Sequence, residues 1–308
     1  MLKSLHKRTT SIPSPTTESI TVYKSYQECN AGFFANFSFI LAMNTNDRIV
    51  LPYWINQVQD GVNASARHFN YWGESNNENI FLRYFDILID IHHMDRLPVY
   101  NSTRDIRLTI PGPRLILMKN NTLFTEVRHM YHNIYKRLFR PKENIINKVN
   151  VFMEDKHDAI AVHVRNPVHN VETNPVNFKD YFDAINTVDD GKRPILLATD
   201  NELSLLVFKD KYGSRLVYFP ESERSSVDMH IEWVQALRRG REDETGLING
   251  KGYELHNHTT VKQLKKDIAY DVVFEMLCLQ QAAHFIGSVS NVGLIAAIMN
   301  PMLPMTIL

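Results

Sequence analysis

The rhythm of apolar positions changes once along this chain, near residue 150. Before it, a short apolar run over 20–24 predicts a strand, and a dense apolar run over 33–43 predicts a buried helix. A second strand is expected at 48–51, closed by Pro52. Residues 124–139 repeat apolar side chains at helical spacing until Arg140-Pro141, and 142–153 resumes as another helix. Beyond residue 150, short apolar runs alternate with amphipathic ones. Strands are predicted at 159–164, 195–199, 216–219 and 284–287, and helices at 178–187, 202–212, 227–238, 261–283 and 291–299. Strands that are apolar on both faces, each followed by a helix, are the pattern of a buried parallel sheet. The expected class is α/β, with a flexible tail over 1–19, an N-terminal α/β unit over 20–150 and a C-terminal unit over 151–308. Two stretches without periodicity, 57–79 and 240–258, read as long exposed loops of the kind that often carry function.

Composition narrows this only by exclusion. Of 308 residues, 44% are hydrophobic and 22% charged, ample for a large core. Lys+Arg and Asp+Glu both number 34, so no net basic charge invites nucleic acid as a partner. The two cysteines, Cys29 and Cys278, make no disulfide framework. The polar start has no apolar signal-peptide core, and no run reaches the ~18–20 apolar residues of a membrane span. A cytoplasmic location without a membrane span is therefore expected. The Asn-x-Ser/Thr sequons at Asn36, Asn63, Asn101, Asn120 and Asn257 read as chance in that setting.

Chemistry gathers at strand ends. His163 and Arg165 close one strand, Thr199-Asp200-Asn201 the next, and Ser288, Ser290 and Asn291 the last. In a parallel sheet these carboxyl ends share one rim, where open α/β sheets bind ligands. Ser290 and Asn291 open a helix and can cap it, and N–H groups at such a turn bind phosphate. Arg165 offers the same anion a bidentate cation. Gly32, between a strand and a helix, allows either close backbone approach to a ligand or a plain tight turn.

The long helix pairs a core stripe (Val261, Leu264, Ile268, Val272, Met276, Leu279, Ala283) with Asp267, Asp271 and Glu275 four apart on a flanking face. Asp267 and Asp271 fit a solvated acidic face, whereas Glu275 lies where the helix is apolar nearly all round and needs a partner if buried. A carboxylate there can accept both N1–H and N2–H of guanine. His169 reads either as an exposed loop histidine or as an aid to a base or acceptor. The pairs His92/His93, His129/His132 and His256/His258 lack third and fourth ligands, so no metal site is expected.

These pieces resemble the GDP-fucose-dependent α1,6-fucosyltransferase and peptide-O-fucosyltransferase group, including the rhizobial chitooligosaccharide enzymes. "AVHVRNPVHNVET" resembles its His-x-Arg motif, and "ILLATDNELSLLVFKDKYGSRLVYF" its Ala-Thr-Asp-Asp strand–helix–strand. "FEMLCLQQAAHFIGSVSNVGLIAAIM" resembles its third motif, and "NAGFFANFSFILAM" loosely resembles its Gly-rich turn. The resemblance implies a GT-B type fold, two Rossmann-like domains facing across a cleft. It also implies inverting, metal-independent transfer from a nucleotide-sugar donor, GDP-fucose first, to a glycan or other hydroxyl acceptor, with no cofactor. Carried over, Arg165 binds the donor's β-phosphate and stabilises the leaving group's charge, Ser290 with Asn291 holds the same phosphate, and Ser288 belongs to the donor site. His163 and Glu275 read the guanine, Asp200 shapes the donor site, and Glu172 lies within one residue of the family's candidate base. The sequence departs from the pattern at Asn166-Pro167-Val168, at Asn201, at Glu275 where Asp is usual, and at Asn291 in place of Ser. Those departures keep two other readings open: another donor such as UDP-xylose, or a decayed nucleotide-sugar- or glycan-binding protein.

Overall fold

The computed structural model describes residues 20–26, 33–44, 48–55, 79–91, 93–98, 121–165, 176–224 and 268–308. Gly32, His169 and Glu172, the helix expected at 227–238 and the loop expected at 240–258 lie outside the described residues, as does all of 57–79 except Asn79.

The first half begins with a parallel pair, β1 (Ile20–Tyr26) and β2 (Ile49–Ile55), joined through helix α1 (Phe33–Met43). The helix is apolar nearly all round because it is buried nearly all round: Phe33, Phe34, Phe37, Ile40 and Leu41 are all in the core. Strand β2 does not close at Pro52 as expected but runs through it. The Pro52 carbonyl accepts from the Asn79 amide at 2.7 Å, and the Trp54 N–H donates to the Asn79 side-chain oxygen at 3.0 Å. Both groups point away from β1, so the N–H that proline lacks is not one the β1–β2 ladder needs. A short antiparallel pair, β3 (Phe85–Ile87) with β4 (Phe139–Pro141), and helices α2 (Asn121–Leu138) and α3 (Glu143–Met153) complete this half.

The second half is one parallel sheet. Its strands are β5 (Ile160–His163), β6 (Ile195–Ala198), β7 (Leu216–Tyr218), β8 (His284–Gly287) and β9 (Met305–Ile307), in spatial order β7-β6-β5-β8-β9. Between them run α4 (Phe178–Val188), α5 (Glu202–Tyr212), α6 (Ile268–Leu279) and α7 (Asn291–Met299). The α/β class expected from the alternation is the one observed. The helix expected to reach residue 283 ends at Leu279, because the chain must turn to enter β8: the Ala283 N–H already bonds to the Ala159 carbonyl at 3.1 Å, beside β5. Strand β9, the three residues that follow Pro304, carries no periodic signal.

The strand order matters for function. The chain moves outward from β5 to β6 to β7, then returns to lay β8 on the other side of β5. The strand order therefore reverses between β5 and β8, and the crevice beyond the carboxyl ends of such a pair is where doubly wound sheets bind ligands. The core is continuous behind it: the aromatic cluster of the first half, Phe33, Phe37, Trp54, Phe81 and Phe139, shares one buried cluster with α6 and α7. Among the described residues, no helix is long and apolar enough to cross a membrane.

Candidate active site

At the reversal, His163 ends β5 directly opposite Gly287 at the end of β8. Beyond Gly287 the chain makes a serine-rich turn and enters α7. Ser290 is the N-cap of that helix: its hydroxyl oxygen accepts from the Gly293 N–H at 3.0 Å. The same oxygen stands 3.3 Å from His163 Nδ1. The pair can form either way round, with the hydroxyl donating to Nδ1 or accepting from it according to the imidazole tautomer. Burial, then the charge of Arg165, lowers the His163 pKa to about 3, so the ring is a neutral N–H donor at neutral pH.

Close packing sets this geometry. The Phe285 ring lies 2.8 Å from where a Cβ at Gly287 would stand and 3.1 Å from one at Gly293, so only glycine lets α7 sit this tightly on β8. Behind the turn, Tyr181 of α4 is buried, and burial raises its phenol pKa to about 12, with Ser288 and Arg165 near enough to lower it in part.

A second cluster adjoins the first across β6. Ala198, the last residue of β6, pairs with His163. After it, Thr199 and Asp200 lead to Asn201, the N-cap of α5, whose side-chain oxygen accepts from the Ser204 N–H at 2.9 Å. Near enough to Asp200 for their charges to interact is Glu275 of α6. Its Oε1 accepts from the Ser222 hydroxyl at 2.6 Å and lies 3.7 Å from the Arg224 guanidinium. Phe219, Phe274, Leu197 and Cys278 line the space around the carboxyl. That apolar lining raises the Glu275 pKa to about 7; Ser222 and Arg224 pull it down, and Asp271 and Asp200 push it further up. Arg224 also donates to the carbonyls of Ser222 and Phe219, both at 2.9 Å, folding the segment after β7 back over α6.

Asp271 corrects one expectation. It does not belong to a solvated acidic face: it is 3% exposed and accepts from the Glu223 N–H at 3.1 Å, because the segment after β7 covers it. Among the described residues, no group of three His, Cys, Asp or Glu comes together as a metal site would require.

The structure thus brings His163, Arg165, Ser288, Ser290 and Asn291 to one point, with Asp200 and Glu275 beside them. Sequence reasoning missed Tyr181, Ser222 and Arg224. The last two had a signal: Pro220-Glu221-Ser222 follows a strand and so forms a fourth strand end on the same rim. Tyr181 had none, since an aromatic on the apolar stripe of an amphipathic helix reads as core.

No protein-family model matches the sequence, and no curated protein matches it. Among solved structures, the chain is similar to NodZ α-1,6-fucosyltransferase co-crystallised with GDP, at 13% identity and a TM-score of 0.46, with 94% of each chain covered. It is similar to fucosyltransferase NodZ from Bradyrhizobium at 14% identity and a TM-score of 0.41, over 88% of this chain and 89% of that one. Similarity to POFUT1 in complex with GDP, at 12% identity and a TM-score of 0.32, covers 57% of this chain and 49% of that one. The functional reading rests on the site's own residues.

Proposed function

We propose that this chain is an inverting, metal-independent glycosyltransferase of GT-B type that moves a sugar from a nucleotide diphosphate donor, GDP-fucose first, onto a hydroxyl of a glycan acceptor. The observation that carries the reading is the reversal point between β5 and β8, where an arginine, a neutral histidine donor and the capped N-terminus of α7 meet. All three are donors or positive, which suits an anion, and in glycosyl transfer the charge that develops is on the departing diphosphate. Arg165 stabilises that charge, Ser290 and Asn291 position it, and Asp200 and Glu275 shape the donor's base end. The acceptor hydroxyl must lose a proton as the bond forms, and Glu172, with His169 three residues before it in sequence, is the proposed base.

A second reading keeps the reaction and changes the nucleotide. A guanine edge asks a carboxylate for two accepting oxygens, yet Glu275 already receives Ser222 and Arg224 on Oε1 and is half protonated near pH 7. That observation favours a base with a single donor at this edge, as uracil has, in a UDP-sugar.

One experiment separates these. A ligand held only by the folded chain raises its melting temperature, by about 2.7 kcal/mol of stability at a hundredfold excess over Kd. GDP but not UDP should raise the melting temperature of the wild type, and Arg165→Ala should abolish the shift and the transfer while the variant stays folded. A shift with UDP alone replaces the guanine reading; full transfer by Arg165→Ala overturns the mechanism.

A further inference from the structure

The turn after β7 is fixed to α6 on both sides of one serine. The Ser222 N–H closes the turn on the Phe219 carbonyl at 3.2 Å. Arg224 closes it again, donating to the carbonyls of Ser222 and Phe219, both at 2.9 Å. Before the serine, the Phe219 ring packs on Phe274 of α6 at 4.3 Å between centroids; after it, the Glu223 N–H donates to Asp271 of α6 at 3.1 Å. From that fixed position the Ser222 hydroxyl donates to Glu275 Oε1 at 2.6 Å, and the Arg224 guanidinium stands 3.7 Å from the same oxygen. Both contacts fall on Oε1, which leaves Oε2 to take an N–H from a ligand. The nearby lining, Leu197, Phe219 and Phe274, is apolar. A glutamate with three rotatable bonds keeps a single aim in such a place only if a polar partner holds it.

We propose that Ser222 is a positioning residue: its hydroxyl holds Glu275 Oε1 so that Oε2 faces the base of the donor nucleotide, and Arg224 keeps Ser222 in place. The inference rests on the nucleotide-donor reading above. It holds for either base, since guanine and uracil each offer a ring N–H to a carboxylate. It makes the fourth strand end part of the donor site, acting through Glu275 and not on the ligand.

The experiment titrates GDP and UDP calorimetrically into wild type, Ser222→Ala, Glu275→Met and the double variant, at a series of pH values from 6 to 8. At pH 8, Ser222→Ala should weaken the nucleotide that wild type binds by about tenfold, the scale of one hydrogen bond. The double variant should bind no more weakly than Glu275→Met, because Ser222 has no other route to the ligand. The pH profile is a second readout. Burial raises the Glu275 pKa; the Ser222 bond, then Arg224, lowers it, and Asp271 and Asp200 raise it. Loss of the Ser222 bond should therefore move the pH below which binding weakens upward. A hydroxyl that served stability alone would lower the melting temperature and leave Kd and the pH profile of the folded protein unchanged; that outcome overturns the proposal. So does a double variant whose losses multiply, since Ser222 would then touch the ligand itself. If Glu275→Met does not fold, an unshifted pH profile in Ser222→Ala overturns it equally. If Ser222→Ala does not fold, Ser222→Cys, a weaker donor of similar shape, takes its place with the same expected directions. A wild type that binds neither nucleotide removes the donor reading before any variant is made, whereas a wild type that binds one no better than Ser222→Ala does removes this inference alone.

Discussion

Glu275 and His163 titrate in opposite directions, and the difference is measurable. The Glu275 carboxyl rises from 4.5 to about 7 on folding, so the folded chain holds more protons than the unfolded one between those values, and this group's contribution to stability falls as pH rises across that window. The His163 ring falls from 6.5 to about 3, so the folded chain there holds fewer protons, and this contribution is lost as pH falls across that range. The two slopes oppose each other between 4.5 and 6.5, and Glu275 acts alone just above. Its contribution spans at most about 3 kcal/mol, at ~1.4 kcal/mol per pKa unit. Glu275→Gln keeps an oxygen for the Ser222 hydroxyl and cannot titrate. Its melting temperature relative to wild type should therefore climb by several degrees between pH 5 and pH 8. A constant difference across that range would show that Glu275 does not carry the slope. A carboxylate four residues from another on a helix reads as a solvated face; only the packing of the segment after β7 shows that Asp271 and Glu275 hold that segment down.

Helix starts were the most legible elements, because each is written in one residue's side chain. Asn177, Asn201 and Ser290 each precede a helix at the rim; the Asn201 and Ser290 side chains accept an amide of the first turn, and Asp180 returns a bond to the Asn177 N–H at 3.1 Å. Asn201 also gives a physical reason for one place where the sequence differs from the motif it resembles. Where an acid is usual, an amide supplies the same oxygen to Ser204 and leaves the buried turn uncharged, next to Asp200 and Glu275. Asn201→Ala should cost about 1–2 kcal/mol, since it deletes a fully buried cap. Asn201→Ser, which keeps a capping oxygen, should recover most of that loss in chemical denaturation. Equal losses for both would place the value of Asn201 in its shape and not in the cap. Helix ends and edge strands were harder to read. The stop at Leu279 is set by the Ala283–Ala159 bond, and the run of β2 through Pro52 by Asn79, so neither has a local cause.

At the scale of the molecule, alternation in the second half made the parallel sheet legible, and strand-end chemistry made its rim legible. Strand order was not, because no residue in β5 or β8 states which strand lies beside it; the reversal that brings His163 to Ser290 is a property of the whole sheet. The change of rhythm near residue 150 suggests two units, yet the buried core does not stop there. Helix α2, from the first half, packs on α7 and on the turn that follows it: His132 Nδ1 lies 2.8 Å from the Ile298 carbonyl, and beyond the helix the Arg128 guanidinium donates to the Leu303 carbonyl at 3.0 Å. Helix α1 packs on α7 as well. Phe37 of α1, in contact with the Phe81, Phe85 and Phe139 rings, belongs to the same buried cluster as Ile295 of α7. Halves joined by a core of this kind should melt together. Scanning calorimetry of the wild type should show one transition, and Phe37→Ala and Ile295→Ala, each costing about 2–5 kcal/mol, should lower that same transition without splitting it. Two resolved transitions, with Phe37→Ala lowering one and Ile295→Ala the other, would mean that the halves fold independently, and that the rim at β5 and β8 owes its stability to the second half alone.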